Sequence, residues 1–131
     1  MVIEFRIERG SGLPAYLQLV GQVRQALRLG WVKPGDRLPA VREVVSGCGV
    51  NPNTVLKAYR ELELAGLVEA RQGAGTFVSA GLGSTDPAVM ARLRAQLAKW
   101  VQGARAAGLD EEDIRALLNT ALTEVGVEGI A

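Results

Sequence analysis

Between Asn51 and Ala65 the apolar residues Val55, Ala58, Tyr59 and Leu62 recur three and four positions apart, the spacing of one buried helical face. Taking that stripe away leaves Asn53, Thr54, Lys57 and Arg60 pointing away from the core. Short amide and hydroxyl groups at a helix start, with cations one and two turns later, suit base edges and phosphate oxygens. The amides and hydroxyl can hydrogen-bond, and Lys and Arg neutralise charge. The positive end of the helix favours a phosphate beside it as well. An ordinary solvated helix face would look the same, so the surrounding elements have to decide.

Other kinds of chemistry are poorly provided for. The 131 residues contain no His, which removes the commonest general base and the commonest metal ligand together. The lone Cys48, between Gly47 and Gly49, cannot form an internal disulfide and reads as a buried structural thiol in a reducing compartment. Gly73-Ala-Gly75 lacks the Gly-Lys-Ser/Thr of a phosphate loop. No His, Cys or carboxylate cluster suggests a metal. The expectation is therefore a protein that is not an enzyme, with no metal and no cofactor.

Glu4, Arg6, Glu8 and Arg9 stand where a signal peptide would need an apolar run, and no apolar stretch approaches membrane-spanning length. A cytoplasmic protein with no membrane partner is expected. Hydrophobic residues make up 48 % of the chain, enough for a core, and their dominance by Leu, Val and Ala points to helices. The net charge of +1 hides an asymmetry. Residues 1–80 hold ten Lys and Arg against seven Asp and Glu, and residues 81–131 hold five against seven. Attraction to phosphate follows local charge, so a basic N-terminal part is the useful feature.

The elements that must position these residues can be read in order. Val2 to Ile7 alternates apolar and charged residues, the period of a half-buried strand. A loop follows at Arg9-Gly-Ser-Gly, then a helix from Pro14 carrying Tyr16, Val20, Val23 and Leu27 until Gly30. Lys33-Pro-Gly-Asp is a turn. A short helix is expected over about residues 40–46, closed by Gly47 and Gly49. The next helix has Asn51 as N-cap and Pro52 in its first turn, and Gly66 ends it. Two strands, Leu67 to Arg71 and Thr76 to Ser79, flank a hairpin tip at Gln72-Gly-Ala-Gly75.

Two short helices joined by a Gly-containing turn, preceded by a helix and followed by a hairpin, describe a winged helix-turn-helix. The run Leu38-Pro-Ala-Val-Arg42, then Gly49-Val-Asn-Pro-Asn-Thr-Val55, Ala58-Tyr59, Glu61-Leu62-Glu63, Gly66-Leu67-Val68 and Arg71-Gln72-Gly-Ala-Gly-Thr-Phe-Val78 resembles the GntR family of bacterial regulators. Phe5-Arg-Ile, Gly12-Leu-Pro-Ala-Tyr-Leu-Gln18 and Gly30-Trp-Val-Lys-Pro-Gly-Asp-Arg-Leu-Pro39 extend the match, which covers about residues 3–78.

The resemblance implies operator contacts by Arg42, by Asn51, Asn53 and Thr54 at the start of the recognition helix, and by a wing tip of Arg71, Gln72 and Gly73. Asn51 equally reads as a helix cap, and Gly73 and Gly75 as turn glycines. Ala40 replaces a Ser common in the family. Pro52 and Leu56 stand where some members carry basic residues, so no base contact is carried over to those two positions.

Beyond a flexible linker at residues 81–85, Asp86-Pro87 starts a helix with the stripe Met90, Leu93, Leu97, Trp100, Val101 and Ala104, broken by Gly108. Asp110, with Asp113 at the third position and Leu109 facing Ile114, starts a last helix striped by Ile114, Leu117, Leu118, Ala121, Leu122 and Val125. This tail is too short for the large effector domains of the family and resembles the YtrA-like subfamily, whose members dimerise through it and are usually repressors. Met90, Leu93, Leu97, Trp100, Val101, Leu118 and Leu122 are the expected dimer contacts, because two wide apolar stripes leave surface to cover. The alternative is that the stripes pack back on the winged helix.

The reading is a mostly α protein with a small β-hairpin wing. Residues 1–80 form the DNA-binding domain and residues 81–131 a two-helix dimerisation region. It predicts a homodimeric regulator, in the main a repressor, binding a double-stranded inverted-repeat operator. An unidentified small-molecule effector stays open as a partner, although the tail offers no evident cavity. The competing class is a winged-helix interaction module that has lost DNA binding.

Overall fold

The computed structural model describes residues 3–79 and 86–130, with side chains as far as Gly126. The expected linker at residues 81–85 and the first residue of the expected N-terminal strand, Val2, lie outside the described residues. The chain divides into two compact units, Met1–Thr85 and Asp86–Ala131.

The first unit contains α1 (Ala15–Arg28), α2 (Val41–Cys48), α3 (Pro52–Leu64), β1 (Val68–Arg71) and β2 (Gly75–Val78). β1 and β2 pair antiparallel, with Val68 opposite Val78 and Arg71 opposite Gly75. This is the winged helix-turn-helix that the order of elements predicts. Its boundaries shift by one or two residues, and Gly47 lies inside α2 while Gly49 ends it in the left-handed conformation.

The core forms where the stripes meet. Leu19, Val23, Ala26 and Leu27 of α1 join Val55, Ala58 and Leu62 of α3, with Val44 of α2 and Val68 and Val78 of the wing. α3 is the hub, packing on α1, α2 and β1. Leu62 and Val55 are fully buried. Burying a Leu or Val side chain is worth roughly 1.5–3 kcal/mol, so this stripe holds α3 in one rotational setting. Tyr59 adds a polar fastener: its hydroxyl donates to the Pro39 carbonyl at 2.6 Å. Burial, reinforced by the negative charge of Glu43 and by Cys48, lifts that hydroxyl well above its usual pKa, keeping it a neutral donor.

Helix ends obey local rules. The Asn51 side chain accepts from the Asn53 N–H at 2.8 Å, and Gly66 closes α3 with φ 77°. There the Leu67 N–H bonds the Leu62 carbonyl and the Gly66 N–H bonds that of Glu63, the pairing of a Schellman motif.

The N-terminal segment departs from expectation. Residues 3–7 are extended, and Ile3, Phe5 and Ile7 do pack on the core, so the period of two is right. They form no strand, however. Two glutamines of α1 take the place of a neighbouring strand. Gln22 accepts from the Arg6 N–H at 3.0 Å and donates to the Arg6 carbonyl at 2.6 Å. Gln18 accepts from the Glu8 N–H at 2.8 Å and donates to the Glu8 carbonyl at 3.0 Å. A carboxamide carries one acceptor and two donors, and its spacing of one helical turn matches alternate residues of an extended chain.

The second unit is α4 (Pro87–Ala106) and α5 (Glu111–Ile130). Asp86 caps α4 by accepting from the Ala88 N–H at 2.7 Å. Asp110 and Asp113 bond each other's N–H groups at 3.0 and 2.8 Å, a capping box with Asp in the place of Glu. An Arg115 hydrogen bond and charge hold the Glu111 carboxyl below its usual pKa. Ile114 is buried and Leu109 half-buried, but α4 has no buried residue. No helix among the described residues is long and apolar enough to cross a membrane.

Candidate nucleic-acid interface

With Val55, Ala58, Tyr59 and Leu62 turned into the core, the opposite face of α3 is open. Asn53, Lys57 and Arg60 line one shallow depression of about 430 Å³ together with Leu56, Glu61 and Leu64. Three of the four residues first singled out on this helix therefore share a surface. Thr54, the fourth, is half-buried and does not point fully away from the core, because it precedes Val55 and shares the inner edge of the first turn.

Lys57 is positioned from α1: its ammonium lies 4.0 Å from the centre of the Tyr16 ring. An exposed cation–π contact of this kind is worth about 0.5–1 kcal/mol; it steadies the side chain and leaves the charge in solvent. Arg60 also lines a second depression with Val41, Tyr59, Ala70 and Thr76, which links the open face of α3 to the start of α2 and to the wing. Arg42 is exposed in the first turn of α2. Asn51 is exposed with its oxygen engaged in the cap, so the structural role read from its position is filled.

In the wing, Gln72, Gly73 and Ala74 form the tip and are exposed. Arg71 lies over the Phe77 ring at 4.4 Å and 4.0 Å from Glu69 Oε1. Glu63 of α3 accepts from the Ala70 N–H at 2.8 Å, so the wing is tied to the helix whose face it flanks. The nine expected contact positions thus fall in three groups, the start of α2, the N-cap and outer side of α3, and the hairpin tip, all of them exposed except the half-buried Thr54.

Two arginines were passed over in the sequence. Arg9 Nη2 donates to the carbonyls of Cys48 and Gly49 at 3.2 and 3.3 Å, bracing the turn between α2 and α3. Arg37 joins the wing: an antiparallel bridge pairs it with Phe77. Both depend on partners about forty residues away, and no local pattern announces them.

The expected dimer contacts divide as well. Leu93, Leu97, Trp100 and Leu122 are exposed, whereas Met90, Val101 and Leu118 are half-buried. Leu117 and Val125 of α5 are exposed as well.

The model of the bacterial regulatory proteins, gntR family, matches residues 15–78, from the start of α1 to the end of β2. The HTH-type transcriptional repressor YtrA of Bacillus subtilis is 37 % identical over 110 residues, spanning 83 % of this chain and 85 % of the relative. Among solved structures, the GntR-family transcription factor YtrA from Sulfolobus acidocaldarius is similar with a TM-score of 0.53 at 29 % identity, covering 92 % of this chain and 97 % of that one. The DNA-binding domain of AraR, solved in complex with operator ORX1, aligns with a TM-score of 0.54 at 29 % identity, over 60 % of this chain and 99 % of that one.

Proposed function

The chain belongs to the GntR family of bacterial transcription regulators, and from that premise we propose that it is a repressor that binds a double-stranded, inverted-repeat operator as a homodimer. The observation that carries the DNA-binding part is the open face of α3. Asn53, Lys57 and Arg60 share one surface there, and Arg60 also lines a depression that reaches Val41 of α2 and Ala70 and Thr76 of the wing. A helix with amides at its N-terminus and cations further on fits the major groove, while the hairpin reaches an adjacent groove. The AraR domain bound to its operator and the repressor YtrA support the reading by similarity.

Homodimerisation rests on the tail. A helix of 20 residues with no buried side chain and with Leu93, Leu97 and Trp100 all more than 40 % exposed has apolar surface that a second copy would cover. Residues 1–80 act as the DNA-binding domain and residues 81–131 as the dimerising region. Two recognition helices related by a two-fold axis would read two half-sites in inverted orientation. A cytoplasmic location belongs to the same reading.

Fluorescence anisotropy with duplex DNA from upstream of the protein's own gene tests the proposal. Saturable binding that weakens as salt is raised is expected, since each phosphate contact releases counterions. A flat curve at low salt would overturn it in favour of a protein-interaction module.

A further inference from the structure

The wing has a third edge. The Leu38 N–H bonds the Thr76 carbonyl at 2.8 Å, the Val78 N–H bonds the Asp36 carbonyl at 2.8 Å, and the Gly35 N–H bonds the Val78 carbonyl at 2.8 Å. The segment from Gly35 to Leu38 therefore runs antiparallel to β2. Arg37 faces Phe77 as a non-hydrogen-bonded pair, the arrangement in which side chains come closest. Alternation sends Val68 and Val78 into the core, so Glu69, Arg71, Gly75 and Phe77 lie on the outward face, and Arg37 shares it.

On that face the Arg37 side chain runs toward the tip. A methyl group on Gly75 would lie 2.8 Å from Arg37 Nε and 3.5 Å from its guanidinium carbon. Gly75, at φ 121°, is opposite Arg71 in the last pair before the turn. The two guanidinium groups therefore share one face of the wing, Arg37 beside Gly75 and Arg71 over Phe77. They differ in company. Arg71 is stacked on Phe77 and approached by Glu69, whereas Arg37 is exposed and has no carboxylate within ion-pair distance among the described residues.

We propose that Arg37 is a DNA-contacting residue, donating from its guanidinium to a backbone phosphate beside the hairpin tip. The inference rests on the DNA-binding reading above. A guanidinium lying over Gly75 with its donors unspent presents a planar fork that matches the geometry of a phosphate. Gly75 leaves the room that Arg37 occupies, so the glycine serves the arginine as well as the turn.

The test compares the full-length wild type with Arg37→Gln and Arg37→Lys by anisotropy, on the same upstream duplex and over about 50–200 mM salt. Arg37→Gln is expected to weaken binding roughly tenfold at the low-salt end, and to flatten the slope of log K against log salt by about 0.9, one phosphate contact. Arg37→Lys should restore the slope. A purely structural role would lower affinity and leave the slope alone, because the number of phosphates neutralised would not change; that result overturns the proposal, as does an unchanged Arg37→Gln. Absence of salt-dependent binding by the wild type would instead overturn the DNA-binding reading itself.

Discussion

The winged unit and the tail are both made of helices with an apolar stripe, yet the winged unit covers its stripe far more fully. In α3 the residues Val55, Ala58 and Leu62 are fully buried by α1, α2 and β1. In α4 the corresponding residues Leu93, Leu97 and Trp100 keep 48, 49 and 42 % of their surface exposed. Pattern alone does not distinguish the two, since an i, i+3, i+4 stripe states only that one face wants a partner. The difference is how much of the stripe the rest of the chain covers. A unit with its core closed leaves its outer face free, whereas a helix pair with its stripe half open has apolar surface left to cover.

The sharpest way to break this comparison is to truncate one residue from each stripe. Leu62→Ala should cost about 2–5 kcal/mol in urea denaturation, the range for a fully buried Leu. Leu122→Ala, at a residue 73 % exposed, should cost less than about 0.5 kcal/mol when measured dilute enough for the chain to be monomeric. Equal costs would mean that the tail supports the fold as the core does. Next in size is Trp100→Glu. If α4 meets a second copy, a charge at a central aromatic should weaken association by about 2 kcal/mol or more, roughly thirtyfold. Sedimentation velocity would show a shift toward monomer, and an undisturbed dimer would remove the tail from the interface.

The recognition side is probed by Arg42→Ala, expected to weaken operator binding by about 1–3 kcal/mol if the guanidinium reads a base edge. A titration against the upstream duplex and against one of scrambled sequence separates the cases. Loss on the first only marks a base contact, equal loss on both marks a phosphate contact, and no loss on either removes Arg42 from the surface.

What could be read in the sequence was local. The cap at Asn51, the stop at Gly66 and the box formed by Asp110 and Asp113 each need at most a few neighbouring residues, and each occurs where its signature stands. The same holds for the face of α3, because helical period alone separates Lys57 and Arg60 from Leu62. Thr54 lies on the boundary between faces, where a small change in helix rotation decides exposure. Arg9 and Arg37 were not legible, because their partners arrive only after the chain has folded.

The N-terminal segment joins both kinds of information, and it gives the smallest and most specific prediction. Alternation in residues 3–7 correctly marks one apolar edge, but it cannot say whether a strand or a side chain satisfies the backbone. Here Gln22 bonds both polar groups of Arg6, and Gln18 bonds those of Glu8. Gln22→Ala should cost about 1 kcal/mol, because the exposed backbone groups regain water when the bonds are lost. Amide hydrogen exchange should speed up at Arg6 while Glu8 keeps its protection from Gln18. Gln22→Glu retains an acceptor for the Arg6 N–H and loses the donor to its carbonyl, so its exchange should fall between wild type and Ala. If all three proteins exchange alike at Arg6, the glutamines do not hold the segment, and the packing of Ile3, Phe5 and Ile7 alone keeps it extended.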